Sequence, residues 1–212
     1  MELTIEAARV LYGDADSVHD FDHILRVLAL SERIAAVEGA DLWVVRMAAL
    51  LHDWGRAEAQ ASGLNHADVA ADRARCYLAD SGISEERVTA VVHAIRAHRF
   101  RVAPAPQTLE AQVLFDADKL DAIGAIGVAR AFAYGGAHRQ RLWAPRVAVD
   151  AARWEAEGDD PEQHTPVHEF VVKLSRIKDQ LYTQEGRRIA AARHRVMEIF
   201  YDQLDAEVRG ER

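Results

Sequence analysis

A largely apolar run from residue 43 to residue 51 constrains the fold more than any other stretch, because it ends directly at His52 and Asp53. Gly55 then stops the segment. Burying the run as a helix places an imidazole and a carboxylate at its inner end. Neighbouring helix residues point about 100° apart, but both side chains can converge on a metal ion lying off the helix end. This ligand pair suits Mn²⁺, Fe²⁺, Co²⁺, Zn²⁺ or Mg²⁺.

Composition excludes several classes of protein. The 212 residues are 50% hydrophobic, which predicts one globular domain with a full core. The net charge of −8 gives no basic footprint for nucleic acid. Cys76 is the only cysteine, which excludes a disulfide framework and a Cys-based zinc site, and we expect it in the core. We see no signal peptide and no run apolar enough to cross a membrane, so we expect a cytoplasmic protein, monomeric or homodimeric.

The hydrophobic pattern is helical throughout, and no β-alternation is evident. It predicts an all-α chain, a single helical bundle of about eight or nine helices over residues 1–212. A core carrying the metal ligands spans about 15–136, a long loop about 137–164, and C-terminal helices about 165–208. Residues 55–64 are also expected to form a loop. Three polar residues are expected to cap helices: Asp41, Asn65 and Ser84.

Three further segments carry potential ligands. His19 and His23 are four residues apart, so both lie on one helix face, with Arg26 close to it. His98 ends a second segment. Asp118, in the third, follows an apolar stretch and needs a cation or hydrogen-bond donors if it is buried. Carboxylates from two apolar segments entering one core suggest a shared cation.

The order His, His-Asp, Asp resembles the HD-domain metal-dependent phosphohydrolases. The local contexts match as well, and the resemblance covers roughly residues 15–205. The sequence resembles one bacterial subfamily in particular, which includes pyrophosphohydrolases that cut nucleoside triphosphates to monophosphate and pyrophosphate. The matching sequences are His-x-x-Arg-Val from His23, Ala-Leu-Leu-His-Asp at 49–53, Asp-Ala-Asp-Lys-Leu-Asp-Ala-Ile-Gly-Ala-Ile-Gly at 116–127 and Ala-Phe-Ala-Tyr-Gly-Gly at 131–136.

The resemblance implies a function for each matching residue. We expect one divalent ion per chain, with Mn²⁺ favoured, and catalytic roles for Asp53 and His98, the latter as a hydrogen-bond donor or acid–base group. The substrate is a small anionic nucleotide, whose phosphates need cations and donors around them. The implied metal ligands are His23, His52, Asp53 and Asp118. The candidate substrate contacts are basic or imidazole side chains near these ligands or on a later helix: His19, Arg26, Arg56, Lys119, Lys173 and Lys178.

Two departures from the family pattern bear on the substrate and the metal count. After the His-Asp pair the subfamily often has acidic and lysine residues, whereas this chain has Trp-Gly-Arg-Ala-Glu at 54–58. Two-metal members carry an adjacent His-His pair. Here His66, His93 and His98 are separate, which favours one ion. The alternatives are a nucleotide phosphomonoesterase or phosphodiesterase, and a nucleotide-binding module without turnover.

Overall fold

The computed structural model describes residues 3–13, 21–99, 103–146 and 164–211. Across these ranges the chain is helical and contains no strand, which confirms the all-α prediction. The described α-helices number ten, more than the eight or nine predicted, and a 3₁₀ helix spans Leu174–Asp179. The α-helices are α1 Ile5–Tyr12, α2 Phe21–Glu38, α3 Leu42–Leu51, α4 Arg56–Ala61, α5 His66–Asp80, α6 Glu85–Ala97, α7 Leu109–Asp121, α8 Gly124–Ala137, α9 Pro166–Val172 and α10 Gln184–Val208.

Helix α3 forms as the sequence predicts. The Asp41 carboxylate caps it by accepting hydrogen bonds from the backbone N–H groups of Trp43 (2.9 Å) and Val44 (3.2 Å). Seven of its ten residues are buried, against α2 on one side and α6 on another. The helix ends at Leu51, with His52 as its C-cap. Its burial therefore carries the His-Asp pair into the core.

Two expectations for the following segment were wrong. Residues 55–64 are not all loop, because α4 forms within them from strong helix formers and buries Ala59. Cys76 is exposed rather than in the core. The buried face of α5 is instead made of small residues at helical spacing, and Cys76 lies off that stripe. The face consists of Ala67, Ala70, Ala71, Ala74 and Leu78.

The capping prediction is confirmed for α5. For α6 the predicted residue is at the N-cap position but does not cap the helix with its side chain. The Asn65 side chain accepts a hydrogen bond from the N–H of Ala67 (3.2 Å) and so caps α5. Ser84 is the N-cap residue of α6, but its side chain makes no capping hydrogen bond. Helices α5 and α6 pack along each other, and their contact brings the start of one near the end of the other.

The chain divides into two compact units, so a single domain over residues 1–212 stays a proposal. The first comprises residues 1–118 with 182–186, and the second 119–181 with 187–212. In the second unit Tyr201 is buried, stacks on Phe170 at 4.3 Å and donates a hydrogen bond to the carbonyl of Pro166 (3.0 Å). No described helix is long and apolar enough to cross a membrane.

The long loop predicted at 137–164 lies largely at residues 147–163, outside the described residues. Its first part is described. Helix α8 extends to Ala137, and beyond it the indole N–H of Trp143 donates to an Asp205 carboxylate oxygen at 2.6 Å. Arg146 pairs with the same carboxylate at 2.6 Å. These contacts attach the beginning of the loop to α10 within the second unit.

A fully buried carboxylate holds residues 182–186 within the first unit. Asp116, on α7, accepts hydrogen bonds from the backbone N–H groups of Tyr182 (2.9 Å) and Thr183 (2.7 Å) and from the Thr183 hydroxyl (2.7 Å). A side chain at Gly186 would collide with the same carboxylate, since a Cβ there would lie 2.5 Å from its Oδ2. Glu185 completes the attachment by pairing with Arg33 of α2 at 3.1 Å.

We expect Asp116→Ala to lower the free energy of unfolding by on the order of 3 kcal/mol, because buried N–H donors lose their acceptor. Urea denaturation of both proteins measures the difference. Asp80→Ala is the control, since Asp80 is exposed at the end of α5 and its loss should change stability by less than about 0.5 kcal/mol. Equal stability of the two variants would contradict the structural role of Asp116.

Candidate metal centre

Three ligand atoms from three helices converge in the first unit. His23 comes from α2, His52 from the end of α3, and Asp118 from α7. The Nε2 atoms of His23 and His52 lie 3.4 Å apart, and Asp118 Oδ1 is 3.5 Å from His23 Nε2. These three residues, the first triad, each offer one ligand atom within 4.8 Å of the others. Two imidazoles with one carboxylate make a donor set suited to a divalent transition metal.

A second triad lies beside the first and consists of Asp53, His66 and His98. Asp53 Oδ1 is 3.6 Å from His66 Nε2 and 3.8 Å from His98 Nε2, and the two imidazole atoms are 3.3 Å apart. Asp53 Oδ1 is buried and has no hydrogen-bond partner among the described residues. A buried carboxylate oxygen without a donor calls for a cation, so this triad also fits a metal ion.

Backbone carbonyls fix the orientation of two of these imidazoles. His52 Nδ1 lies 2.8 Å from the Ala49 carbonyl, and His98 Nδ1 lies 2.6 Å from the Ile95 carbonyl. A carbonyl only accepts, so each Nδ1 is the donor and each Nε2 keeps its lone pair. This is the usual outer arrangement of metal-binding histidines. Each triad therefore has at least one imidazole already turned toward an ion.

The carboxylate of Asp53 faces both triads. Its Oδ2 lies 3.8 Å from the Nε2 atoms of His23 and His52, and Arg56 Nη1 donates to the same oxygen at 2.7 Å. Burial alone would raise the pKa of Asp53, but the attraction of His52, when it is protonated at low pH, and of Arg56 outweighs burial and lowers the pKa. Asp53 is therefore a carboxylate at neutral pH.

Two of the imidazoles, His52 and His66, are in the neutral form that binds metal. Burial lowers the pKa of His52 and lowers the pKa of His66 to about 4. The Asp53 charge opposes the shift at His66, whereas the charges of Arg56 and Arg99 add to it. Both histidines are neutral at pH 7, and a metal need not displace a proton from either.

The structure thus brings together all four predicted ligands but divides them between the triads, with Asp53 contacting both. His98, predicted to be catalytic, belongs to the second triad. The sequence prediction gave no role to His66 and did not name Arg99. His66 does begin a capped helix, yet that position alone does not distinguish a ligand from a surface histidine. Only the packing of α5 on α6 places it against His98.

The remaining predicted contacts stay predictions. His19 lies outside the described residues. Arg26 is half-buried on α2, about one turn beyond His23, and Lys119 follows Asp118 on α7. The two later lysines have carboxylate partners within the second unit: Lys173 pairs with Glu169 at 2.7 Å and Lys178 with Asp179 at 2.9 Å.

The HD domain family model matches residues 20–123. The Bacillus subtilis protein YpgQ, itself described as uncharacterised, is 34% identical over 201 residues, covering 93% of this chain and 88% of YpgQ. This chain belongs to the HD domain family. The His-Asp pair that ends α3 is in the matched region, as are all the residues of both triads.

Solved structures of HD proteins have the same fold. YpgQ in complex with ADP aligns with a TM-score of 0.72 at 29% identity, covering 99% of this chain and all of YpgQ. An HD-superfamily hydrolase from Bacillus thuringiensis aligns with a TM-score of 0.75 at 29% identity, covering 97% of this chain and 94% of the hydrolase. These relatives confirm the predicted enzyme class, a metal-dependent HD phosphohydrolase.

We expect Asp118→Ala to lose the ion held by the first triad, because it removes the carboxylate and leaves two imidazoles. Metal analysis by mass spectrometry after dialysis measures retention, and circular dichroism should show an unchanged helical content. Asp22→Ala is the control, since Asp22 is an exposed acid next to His23 on α2. Full metal content in Asp118→Ala would remove Asp118 from the ligand set.

A metal titration separates the two triads. We expect one tightly held ion and a weaker second binding event, because the Arg56 and Arg99 charges near His66 repel a cation. His66→Ala should abolish the weak event while leaving the tight one. Calorimetric titration with Mn²⁺ measures both. Two ions held equally tightly, or a single event unaffected by His66→Ala, would be the contrary results.

Proposed function

We propose that this protein hydrolyses nucleoside or deoxynucleoside triphosphates to monophosphate and pyrophosphate, using Mn²⁺. The observation that carries the proposal is the pairing of a metal centre with arginine at one carboxylate. Asp53 faces both triads, and Arg56 lies 2.7 Å from its Oδ2. Phosphoryl transfer needs a divalent ion and guanidinium or ammonium groups around the phosphate oxygens, and this arrangement offers both.

A nucleotide substrate is supported by a relative. The YpgQ structure described above contains ADP, so an HD protein of the same fold holds an adenine nucleotide. The present chain has a net charge of −8, so an anionic nucleotide must bind through local cations rather than through the overall field. Lys119, Lys173 and Lys178 remain proposed phosphate contacts from the second unit, with His19 and Arg26 proposed from α2 and the segment before it.

The proposed reaction breaks the bond between the α-phosphorus and the oxygen bridging to the β-phosphate. A divalent ion held by His23, His52 and Asp118 would polarise a phosphoryl oxygen and lower the pKa of a bound water. The water oxygen bonds to the α-phosphorus, and the bridging oxygen leaves with the electron pair as part of pyrophosphate. The ionised Asp53 faces the imidazoles of both triads and holds the Arg56 guanidinium in place. The proton lost from water passes to solvent.

The structure favours a different role for His98 from the acid–base role predicted. Its Nδ1 donates to the Ile95 carbonyl, and its Nε2 is 3.8 Å from Asp53 Oδ1. Only 2% of its side chain is exposed. A buried imidazole oriented in this way suits a ligand better than a group that exchanges protons with solvent. We therefore propose that His98 completes the second triad.

Several broader expectations go with this proposal. We propose that the protein acts in the cytoplasm as a monomer or homodimer and does not bind nucleic acid as its substrate. A nucleotide phosphomonoesterase or phosphodiesterase and a nucleotide-binding module without turnover are the competing functions.

Product analysis tests the reaction. We expect ATP and its deoxy counterpart to give monophosphate and pyrophosphate in equal amounts, measured by phosphorus NMR with Mn²⁺ present. Asp118→Ala should lower kcat by more than about a hundredfold, since it removes a ligand. Orthophosphate with a diphosphate, or hydrolysis of monophosphates alone, would instead indicate the phosphomonoesterase. Binding of ATP without any product would indicate the binding module.

A further inference from the structure

Two arginines lie at the edge of the second triad, on the side where it opens toward solvent. Arg56 is the first residue of α4, and Arg99 follows His98 beyond the end of α6. Arg56 contacts Asp53 of this triad at 2.7 Å, and Arg99 contacts Asn65, the residue before His66, at 2.8 Å. Some 18% of the His66 side chain is exposed, compared with 2% for His98. This edge is therefore the open side of the second triad.

Arg99 is unusual among the arginines of this region because its described partner is neutral. Its Nη1 donates to the side-chain oxygen of Asn65 at 2.8 Å. Within the described residues no carboxylate lies within ion-pair distance of its guanidinium. By contrast Arg96, one turn earlier, contacts Asp72 at 2.6 Å and Asp68 at 3.9 Å. In a chain with eight excess negative charges, a cation with a neutral partner beside a metal centre suggests an anionic ligand.

The position of Arg99 at a helix end also favours an anionic ligand. Asn65 is the N-cap of α5, so Arg99 stands at a helix end that already carries a partial positive charge. Asp68 is the acid of that first turn, and its carboxylate accepts from the Asn65 amide at 2.7 Å and faces Arg96. Its charge is thus shared with partners other than Arg99. An anion bound at Arg99 would neutralise both the guanidinium and the helix end.

Arg56 offers a second guanidinium at the same edge. One of its N–H groups donates to Asp53 Oδ2, and 33% of its side chain is exposed. A guanidinium has five N–H donors, so contact with one carboxylate oxygen leaves capacity for phosphate. The pairing with Asp53 also fixes the direction of the fork, which lowers the entropy lost when a ligand binds.

We propose that Arg99 and Arg56 bind the pyrophosphate end of the substrate, the β- and γ-phosphoryl groups, while the α-phosphoryl group lies at the metal centre. This inference rests on the proposed function and specifies how it selects a triphosphate. Guanidinium groups bind phosphate oxygens in pairs with matched geometry. The two arginines hold the leaving group in place before cleavage and contact free pyrophosphate after it. Pyrophosphate is therefore also a ligand of the metal-loaded protein.

Binding of inorganic pyrophosphate tests the proposal without requiring turnover. We expect Arg99→Gln to weaken pyrophosphate binding to the Mn²⁺-loaded protein by about ten- to a hundredfold, measured by titration calorimetry. The affinity for Mn²⁺ itself should not change. Arg96→Gln is the matched control, because it removes the same side chain one turn earlier on α6, and its effect should be less than about twofold.

Arg99→Lys provides a conservative variant. It keeps the charge but loses the fork, so its pyrophosphate affinity should fall between those of the wild-type protein and Arg99→Gln. In turnover assays the three proteins should differ in KM for the triphosphate in the same order, while their metal content stays equal. Orthophosphate, with fewer oxygens, should bind more weakly and be less sensitive to Arg99.

The possible outcomes separate this proposal from the proposed function. Equal pyrophosphate affinity in the wild-type protein and Arg99→Gln overturns the inference, even if triphosphates are cleaved. Loss of affinity in Arg96→Gln as large as in Arg99→Gln also overturns it, because the effect would then be general to α6. Arg99-dependent pyrophosphate binding without triphosphate cleavage supports the phosphate site and rejects the pyrophosphohydrolase.

Discussion

The buried carboxylate of Asp53 is the interaction on which the centre depends. Removing a carboxylate from water is costly, and here the cost is offset by an arginine at 2.7 Å and by imidazoles on both sides. The position is imposed by α3, whose buried valine, methionine and leucine side chains each contribute about 1.5–3 kcal/mol. Hydrophobic burial of that helix therefore holds an ionised group where it would not otherwise stay. The other site residues are arranged around this charge.

The two oxygens of Asp53 face different chemical surroundings. Oδ2 faces His23 and His52 and is held by Arg56, whereas Oδ1 faces His66 and His98 and has no described donor. Cations are favoured at the first triad by the added charge of Asp118. At the edge near His66 the arginine charges favour an anion. One carboxylate thus faces both triads, and the two arginines proposed to contact phosphate lie beside the second triad.

What the sequence could predict was local in the chain. The apolar run, its Asp41 cap and the His-Asp pair at its end lie within thirteen residues, so helix geometry alone predicted the end of α3. Asp118 was identified as a carboxylate that follows an apolar stretch, and the resemblance implied that it is a metal ligand. The contact between His66 and His98 joins residues that are 32 apart in the chain. It depends on which face of α5 is turned toward α6. That orientation is set by the alanine face of α5, which also explains the exposed Cys76: a single cysteine contributes less burial than a row of alanines.

The turn after Asp53, Trp-Gly-Arg at 54–56, departs from the family pattern and places an arginine beside the Asp53 carboxylate. Gly55 has a φ of +93°, a left-handed conformation that reverses the chain directly after the ligand. A Cβ at this position would lie 2.5 Å from the Arg73 guanidinium, which lies 5.6 Å from the Trp54 ring. The reversal brings Arg56 back onto the Asp53 carboxylate. Trp-Gly-Arg, where the resembled subfamily often has acidic and lysine residues, therefore places an arginine, a proposed phosphate contact, beside the Asp53 carboxylate.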